Sequence, residues 1–269
     1  MTERTECSCG GALEEPIISE PGYTIRRCSE CSLLSTDPLP KVEVYNDDYY
    51  LRNYVARRDY WMARHRASME RHLLPKRQSG RLLDIGAGLG FFLAVLEKPA
   101  WQAFGVDPSP SAHRLAAEHF GVEVRKTTAE DLPFDGGFDV ITLWDVLPAL
   151  PRPLDTLRAA HRHVKPDGIV LMRTPDVDGW PLEIARSLAG VNRAKLLFQP
   201  NVRTAHWGEH SLRYTLEKAN LRVVSVEREI KWPRLGMLRE GGGWKGRVVR
   251  MGLGALAAVR DIIITAARA

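Results

Sequence analysis

The chain has 269 residues, 44% of them hydrophobic and 26% charged, a globular composition with room for one large domain and a small appendage. A formal net charge of +5, spread without any block of like charges, does not indicate a nucleic-acid partner. No apolar run reaches the roughly 18–20 residues of a spanning helix, and the polar start MTERTECSCGG lacks the core of a signal peptide, so the expectation is a cytoplasmic protein.

All four cysteines lie in the first 31 residues, as Cys7-Ser8-Cys9 and Cys28-Ser29-Glu30-Cys31. Two such pairs can supply four thiolates to one tetrahedral, structural zinc; four thiolates leave no open position for catalysis. Free thiols or a redox pair are the alternatives. Between the pairs, Pro21-Gly22 reads as a turn and YTIRRC as a returning strand. Residues 1–40 therefore read as a knob. Residues 41–80 follow as an acidic, tyrosine-rich stretch and a helix over 54–74 that Pro75 stops.

From Arg81 onward, short apolar runs alternate with helical segments. The strands are expected at 81–85, 101–107, 122–126, 138–144 and 168–174, and the helices near 89–97, 110–120 and 153–164. The last helix is stopped by Lys165-Pro166-Asp167-Gly168. This alternation predicts an α/β fold with a doubly wound, mostly parallel sheet. Segments 221–230 and 261–269 read as a strand pair that closes it. The core is thus expected over 81–269, with insertions at about 176–205 and 231–260.

The first strand runs into Asp84-Ile85-Gly86-Ala87-Gly88-Leu89-Gly90. Glycines between a strand and a helix allow a tight turn and a close approach of backbone to ligand. A dinucleotide loop is spaced G-x-G-x-x-G/A, but here Phe91 occupies the third position. An acid just before the glycines also suits an ammonium group better than a pyrophosphate. A second acid, Asp107, ends the next strand, where it can accept ribose hydroxyls.

These features, with TTAEDLPF, FDVITLWDVL and VKPDGIVLMRTP in order, resemble the class I S-adenosylmethionine-dependent methyltransferases over about residues 81–221. The resemblance implies that Gly86, Gly88 and Gly90 line the methionyl end of S-adenosylmethionine and that Asp84 acts on its ammonium group. It further implies that Asp107 holds the ribose, Ala129 and Glu130 flank the adenine, and Asp145 lies on the stretch passing the sulfonium. Where relatives often read WDVLEH, this chain reads WDVLPAL, losing an acid and a histidine. The cysteine knob resembles that of a subset of the superfamily that modifies sugars, lipids and secondary metabolites. In that subset the segment matching YNDDYYLRNY lies near the active-site mouth, which makes Tyr49, Tyr50 and Tyr54 candidate lid residues; packing against the following helix is their alternative.

Relatives also carry a histidine followed by an aromatic residue, near the position of His206-Trp207. His206 is accordingly a candidate catalytic base, or otherwise a lining or capping residue. In 231–260, Val248, Val249, Met251, Leu253 and Leu256 alternate with Lys245, Arg247 and Arg250. A helix there would be basic and amphipathic, suited to peripheral membrane contact, dimer packing or a lid on an apolar tunnel. The expected reaction is methyl transfer from S-adenosylmethionine to a small-molecule acceptor, such as a sugar, a secondary metabolite, or a lipid-linked or glycan group. An RNA-base methyltransferase and a non-catalytic cofactor-binding protein are the rivals. No oligomeric state follows from the sequence.

Overall fold

The computed structural model describes residues 4–39, 45–178, 198–231 and 259–269. The expected insertions fall largely outside them, at 179–197 and 232–258.

The described residues form two sheets. The small one contains β1 (Leu13–Glu20), β2 (Tyr23–Cys28) and β3 (Leu34–Asp37), all antiparallel. The large one contains β4 (Gly80–Ile85), β5 (Trp101–Val106), β6 (Val124–Arg125), β7 (Phe138–Trp144) and β8 (Val164–Pro175). These five pair in parallel. Strands β10 (Leu221–Lys231) and β11 (Val259–Arg268) then add an antiparallel pair, giving the order β10-β11-β8-β7-β4-β5-β6. The expected doubly wound sheet and closing pair are both present.

Strand β4 pairs with β5 on one side and with β7 on the other. The winding reverses there, and in sheets of this kind the carboxyl ends of the strands at the reversal are where a ligand crevice forms. Strand β7, FDVITLW, is apolar almost throughout because it is buried on both faces.

Helices α1 (Asp47–Asn53) and α2 (Arg58–Ser68) precede the large sheet, and α3 (Phe91–Val95), α4 (Pro110–Phe120) and α5 (Pro153–His163) link its strands. The Ser109 side chain caps α4 by accepting from Ala112 N, Pro110 starts it, and Gly121, at φ 64°, ends it. One expected helix over 54–74 is instead a 3₁₀ turn at Val55–Arg57, then α2, then a π turn at Met69–Leu73. Helix α3 is shorter than the expected 89–97, and β6 has two residues rather than five.

The expected stop at Lys165–Gly168 takes the form of a bulge inside β8. Opposite β7, the register jumps from Phe138↔Val164 to Val140↔Ile169. A Cβ on Gly168 would lie 2.9 Å from the Phe138 carbonyl oxygen, so only glycine fits.

A further strand, β9 (Ala205–His206), pairs with β3, and α6 (Glu209–Lys218) follows it. The small sheet thus takes a strand from within 81–269 and does not close on residues 1–40 alone. Lys218 of α6 donates to the Cys9 carbonyl, and the knob cysteines share one apolar cluster with Leu83, Ile141 and Leu212.

The π turn carries His72, whose side chain is 4% exposed and whose ring nitrogens both meet β10 carboxylates. Nδ1 lies 2.9 Å from Glu227 Oε2 and Nε2 lies 2.9 Å from Glu229 Oε1. The hydrogen bond with His72 is the main influence that holds the Glu229 carboxyl down at about 2. A carboxyl so lowered stabilises the fold above its unfolded value of about 4.3, and that stabilisation is lost as pH falls toward 2. Melting temperatures of the wild type and Glu229→Gln should therefore differ most at neutral pH and converge between pH 5 and pH 2.

Candidate functional site

The crevice is floored by the turn after β4. Gly86, Gly88 and Gly90 all adopt left-handed backbone, with φ of 70°, 54° and 73°. Two of them are also fixed by packing. A Cβ on Gly86 would overlap Val146, and one on Gly90 would overlap Val122. Gly88 differs, since a Cβ there would meet nothing closer than Tyr50 Cε1 at 4.0 Å.

Two acids flank this turn. Asp84 is buried at the end of β4 and accepts from Thr142 Oγ1 of β7 at 2.6 Å. Burial pushes its carboxyl up to about 7, against the lowering effect of Thr142. Asp107 follows β5 and accepts from Gly88 N at 3.0 Å and Ser109 N at 2.9 Å, so it fixes the glycine turn. Burial raises its carboxyl too. A carboxylate offers about four acceptor directions, so acceptor capacity remains after these two bonds.

The tyrosine-rich segment covers the turn. Tyr45, Tyr49, Tyr50 and Tyr54 form a contiguous aromatic cluster, and Tyr54 stacks on Trp61 with centroids 4.9 Å apart. Burial raises the Tyr50 and Tyr54 phenols; Tyr50 also feels Asp107, and Tyr54 feels Asp145. The cover therefore reaches from one acid to the other. Tyr45 Oη anchors it by donating to the Val202 carbonyl at 2.9 Å, and Ser109 Oγ by donating to the Tyr45 carbonyl.

At the end of β7, Asp145 has a left-handed φ of 61°. Its Oδ2 receives Arg173 Nη2 at 2.8 Å, Arg173 Nε at 3.2 Å and Arg64 Nη2 at 3.3 Å. Arg64 also donates to the fully buried Asp261 of β11 at 2.7 Å. The next residue, Val146, is the one that packs against Gly86.

The structure therefore gathers Asp84, Gly86, Gly88, Gly90, Asp107 and Asp145 around one crevice. Ala129 is buried in the core beyond β6. The Glu130 carboxylate accepts from Thr156 Oγ1 of α5 at 2.8 Å, which ties it to that helix. His206 lies on β9, within the small sheet. Its Nε2 is 2.9 Å from Thr36 Oγ1, Phe198 stands edge-on to its ring, and burial lowers it to about 3. The ring thus ties β9 to β3 through a buried hydrogen bond.

Cys7, Cys9, Cys28 and Cys31 are all buried, with their four sulfurs within 4.8 Å of one another. Cys7 and Cys31 sulfurs are 3.7 Å apart, and those of Cys9 and Cys28 are 3.5 Å apart. A tetrahedron with Zn–S bonds of about 2.3 Å requires sulfurs about 3.8 Å apart, so the donor set fits one zinc.

Sequence reasoning missed Arg64, Thr142, Arg173 and Asp261. Arg173 did carry a signal, as a lone charge in the apolar run GIVLMRT. Nothing in the sequence pairs it with Asp145 or places Arg64 beside Asp261.

The packing separates the glycines experimentally. Gly86→Ala combines a left-handed backbone, worth about 1–2 kcal/mol, with overpacking against Val146, worth about 1–3 kcal/mol. Gly88→Ala carries only the first cost. Urea denaturation should show the larger loss for Gly86→Ala, by at least about 1 kcal/mol.

Residues 54–226 match the family model described as "Methyltransferase domain". Among curated proteins, the chain is 33% identical over 101 residues to the ubiquinone biosynthesis O-methyltransferase of Pseudomonas aeruginosa, covering 35% of this chain and 44% of that one. It is 35% identical over 119 residues to the enzyme of that name from Cereibacter sphaeroides, covering 42% and 47%. The chain thus matches less than half the length of these relatives. Among solved structures, a geranyl diphosphate methyltransferase in complex with SAM aligns with TM-score 0.56 and 16% identity, over 77% of this chain and 85% of that one. A SAM-dependent methyltransferase from Archaeoglobus fulgidus aligns with TM-score 0.52 and 19% identity, over 76% and 93%. Those two likenesses concern the fold. The family model spans well over half of the sequence, on the same strands and turn that build the crevice, and the chain belongs to the methyltransferase domain family.

Proposed function

We propose that the protein is an S-adenosylmethionine-dependent methyltransferase acting on a small-molecule acceptor. The observation that carries this reading is the pair of buried acids flanking a left-handed glycine turn at the reversal of the sheet. When bound, S-adenosylmethionine supplies a methyl group on a sulfonium, ready for in-line displacement. Asp84 is placed to receive the ammonium group, with Thr142 orienting its carboxylate. Asp107 has acceptor capacity left for the ribose hydroxyls while it holds Gly88. Gly88 leaves the space the ligand backbone needs. Ala129 and Glu130 would border the adenine, although the tie to Thr156 leaves Glu130 less free to turn toward it.

The tyrosine cover shields the crevice from water, and the segment around Asp145 walls the reactive end. Holding the acceptor in line at short distance is then the main task of the protein. His206 has a structural part in this reading, joining the small sheet to the core. The names of the curated relatives favour a small acceptor with a hydroxyl. A lipid-linked or glycan acceptor, with peripheral membrane contact through 231–260, extends the proposal to a segment of which 232–258 lie outside the described residues. The four cysteines would hold a structural zinc, whose closed ligand set keeps it apart from the chemistry.

Calorimetric titration with S-adenosylhomocysteine tests the cofactor reading. One-site binding, weakened by Asp107→Ala, is expected; no binding by folded wild-type protein overturns the reading. Because burial holds Asp84 protonated up to about pH 7, an ammonium ligand should drive its proton off. At pH 6, titrations in buffers of different ionisation enthalpy should show release of roughly one proton, falling to about half near pH 7, largely gone by pH 8 and absent in Asp84→Asn. Elemental analysis should find one zinc per chain, lost in Cys31→Ser together with thermal stability.

A further inference from the structure

Arg173 is a charge with almost no solvent exposure, 1% by side chain, and its contacts reach four elements, the fourth being β11 through Asp261 at 4.0 Å from Nε. Nε and Nη2 donate to Asp145 Oδ2 on the loop after β7. Nη1 donates to Ser68 Oγ at the end of α2. The guanidinium also lies over the Trp144 ring, 5.1 Å from its centroid. The backbone adds a further tie, since Asp145 N donates to the Arg173 carbonyl at 2.9 Å.

These contacts act on a strained residue. A left-handed aspartate persists only where its surroundings fix it, and such residues gather where a loop must point in an unusual direction. Here that direction brings Val146 onto Gly86, at the start of the turn that receives the methyl donor in the proposed function. The chain of contact runs from Arg173 to Asp145, from Asp145 to Val146, and from Val146 to Gly86.

We propose that Arg173 is a positioning residue for methyl transfer: its buried guanidinium pins the left-handed Asp145, and so sets the wall that the amino-acid end of the donor meets. The proposal rests on the methyltransferase reading. It concerns one end of the ligand only, because Asp107 and Ser109 stand at the other end and have no bond to Arg173 among the described residues. A general folding role for the buried ion pair would not distinguish the two ends.

The test is calorimetric binding of two probes, S-adenosylhomocysteine and adenosine, to wild type, Arg173→Lys and Ser68→Ala. Lysine keeps the charge but cannot present the same planar fork. Ser68→Ala removes the Nη1 contact and the Ser68 Oγ bond to the Arg64 carbonyl within α2, and substitutes a stronger helix former, so a folded variant is available if the lysine form does not fold. Arg173→Lys should weaken S-adenosylhomocysteine roughly tenfold or more, the worth of one charge-assisted hydrogen bond, while adenosine changes less than about twofold. Ser68→Ala should show a smaller loss of the same selectivity. If folded variants bind both probes as the wild type does, or lose both in parallel, the proposal is overturned. Failure of the wild type to bind either probe would instead overturn the methyltransferase reading on which it rests.

Discussion

At the carboxyl end of the sheet, two guanidinium groups and two carboxylates meet, with Arg173 and Asp261 out of water and Arg64 and Asp145 partly exposed. Arg64, Arg173, Asp145 and Asp261 come from α2, β8, the loop after β7 and β11. Taking charges out of water costs several kcal/mol per ion unless they are paired and hydrogen-bonded, and removing one partner leaves the other exposed to that cost. Four elements distant in sequence must therefore meet together. The antiparallel β11, which delivers Asp261, is as much a part of this arrangement as the parallel strands that carry the glycine turn.

That constraint shapes the crevice above it. The reversal at β4 opens space after β4 and β7, and the ion network decides how the loop after β7 enters that space. With Asp145 held in a left-handed conformation, Val146 descends onto Gly86, where any side chain larger than hydrogen would collide. Gly86 and Gly90 are thus glycines because of protein packing, whereas a Cβ on Gly88 would meet nothing closer than Tyr50. The same motif serves two physical ends, and the sequence spells both with one letter.

The small sheet belongs to the same molecule in more than a covalent sense. Strand β9 extends it from within the core, and Thr204, just before β9, donates to the carbonyls of Pro148 and Leu150 in the loop after β7. His206 closes this join through its buried hydrogen bond with Thr36. The cysteine cluster lies at the far side of this sheet, in contact with α6, and gives a region with a modest apolar core a place where one ion could substitute for missing hydrophobic burial.

The sequence by itself determined the parts that depend on local pattern. Apolar runs of strand length, a capped helix at Pro110–Phe120, the glycine turn and the four clustered cysteines all announce themselves, because periodicity, backbone freedom and ligand chemistry act over a few residues. Asp84 and Asp107 were legible for the same reason, each standing at the end of a strand. Only the tertiary structure decided what those parts face. Arg64 and Asp261 are 197 residues apart in the chain, and the pairing of β9 with β3 joins His206 to Leu34. Such pairings arise when buried charges and unpaired strand edges find partners across the folded chain, and no local pattern encodes which partner lies opposite.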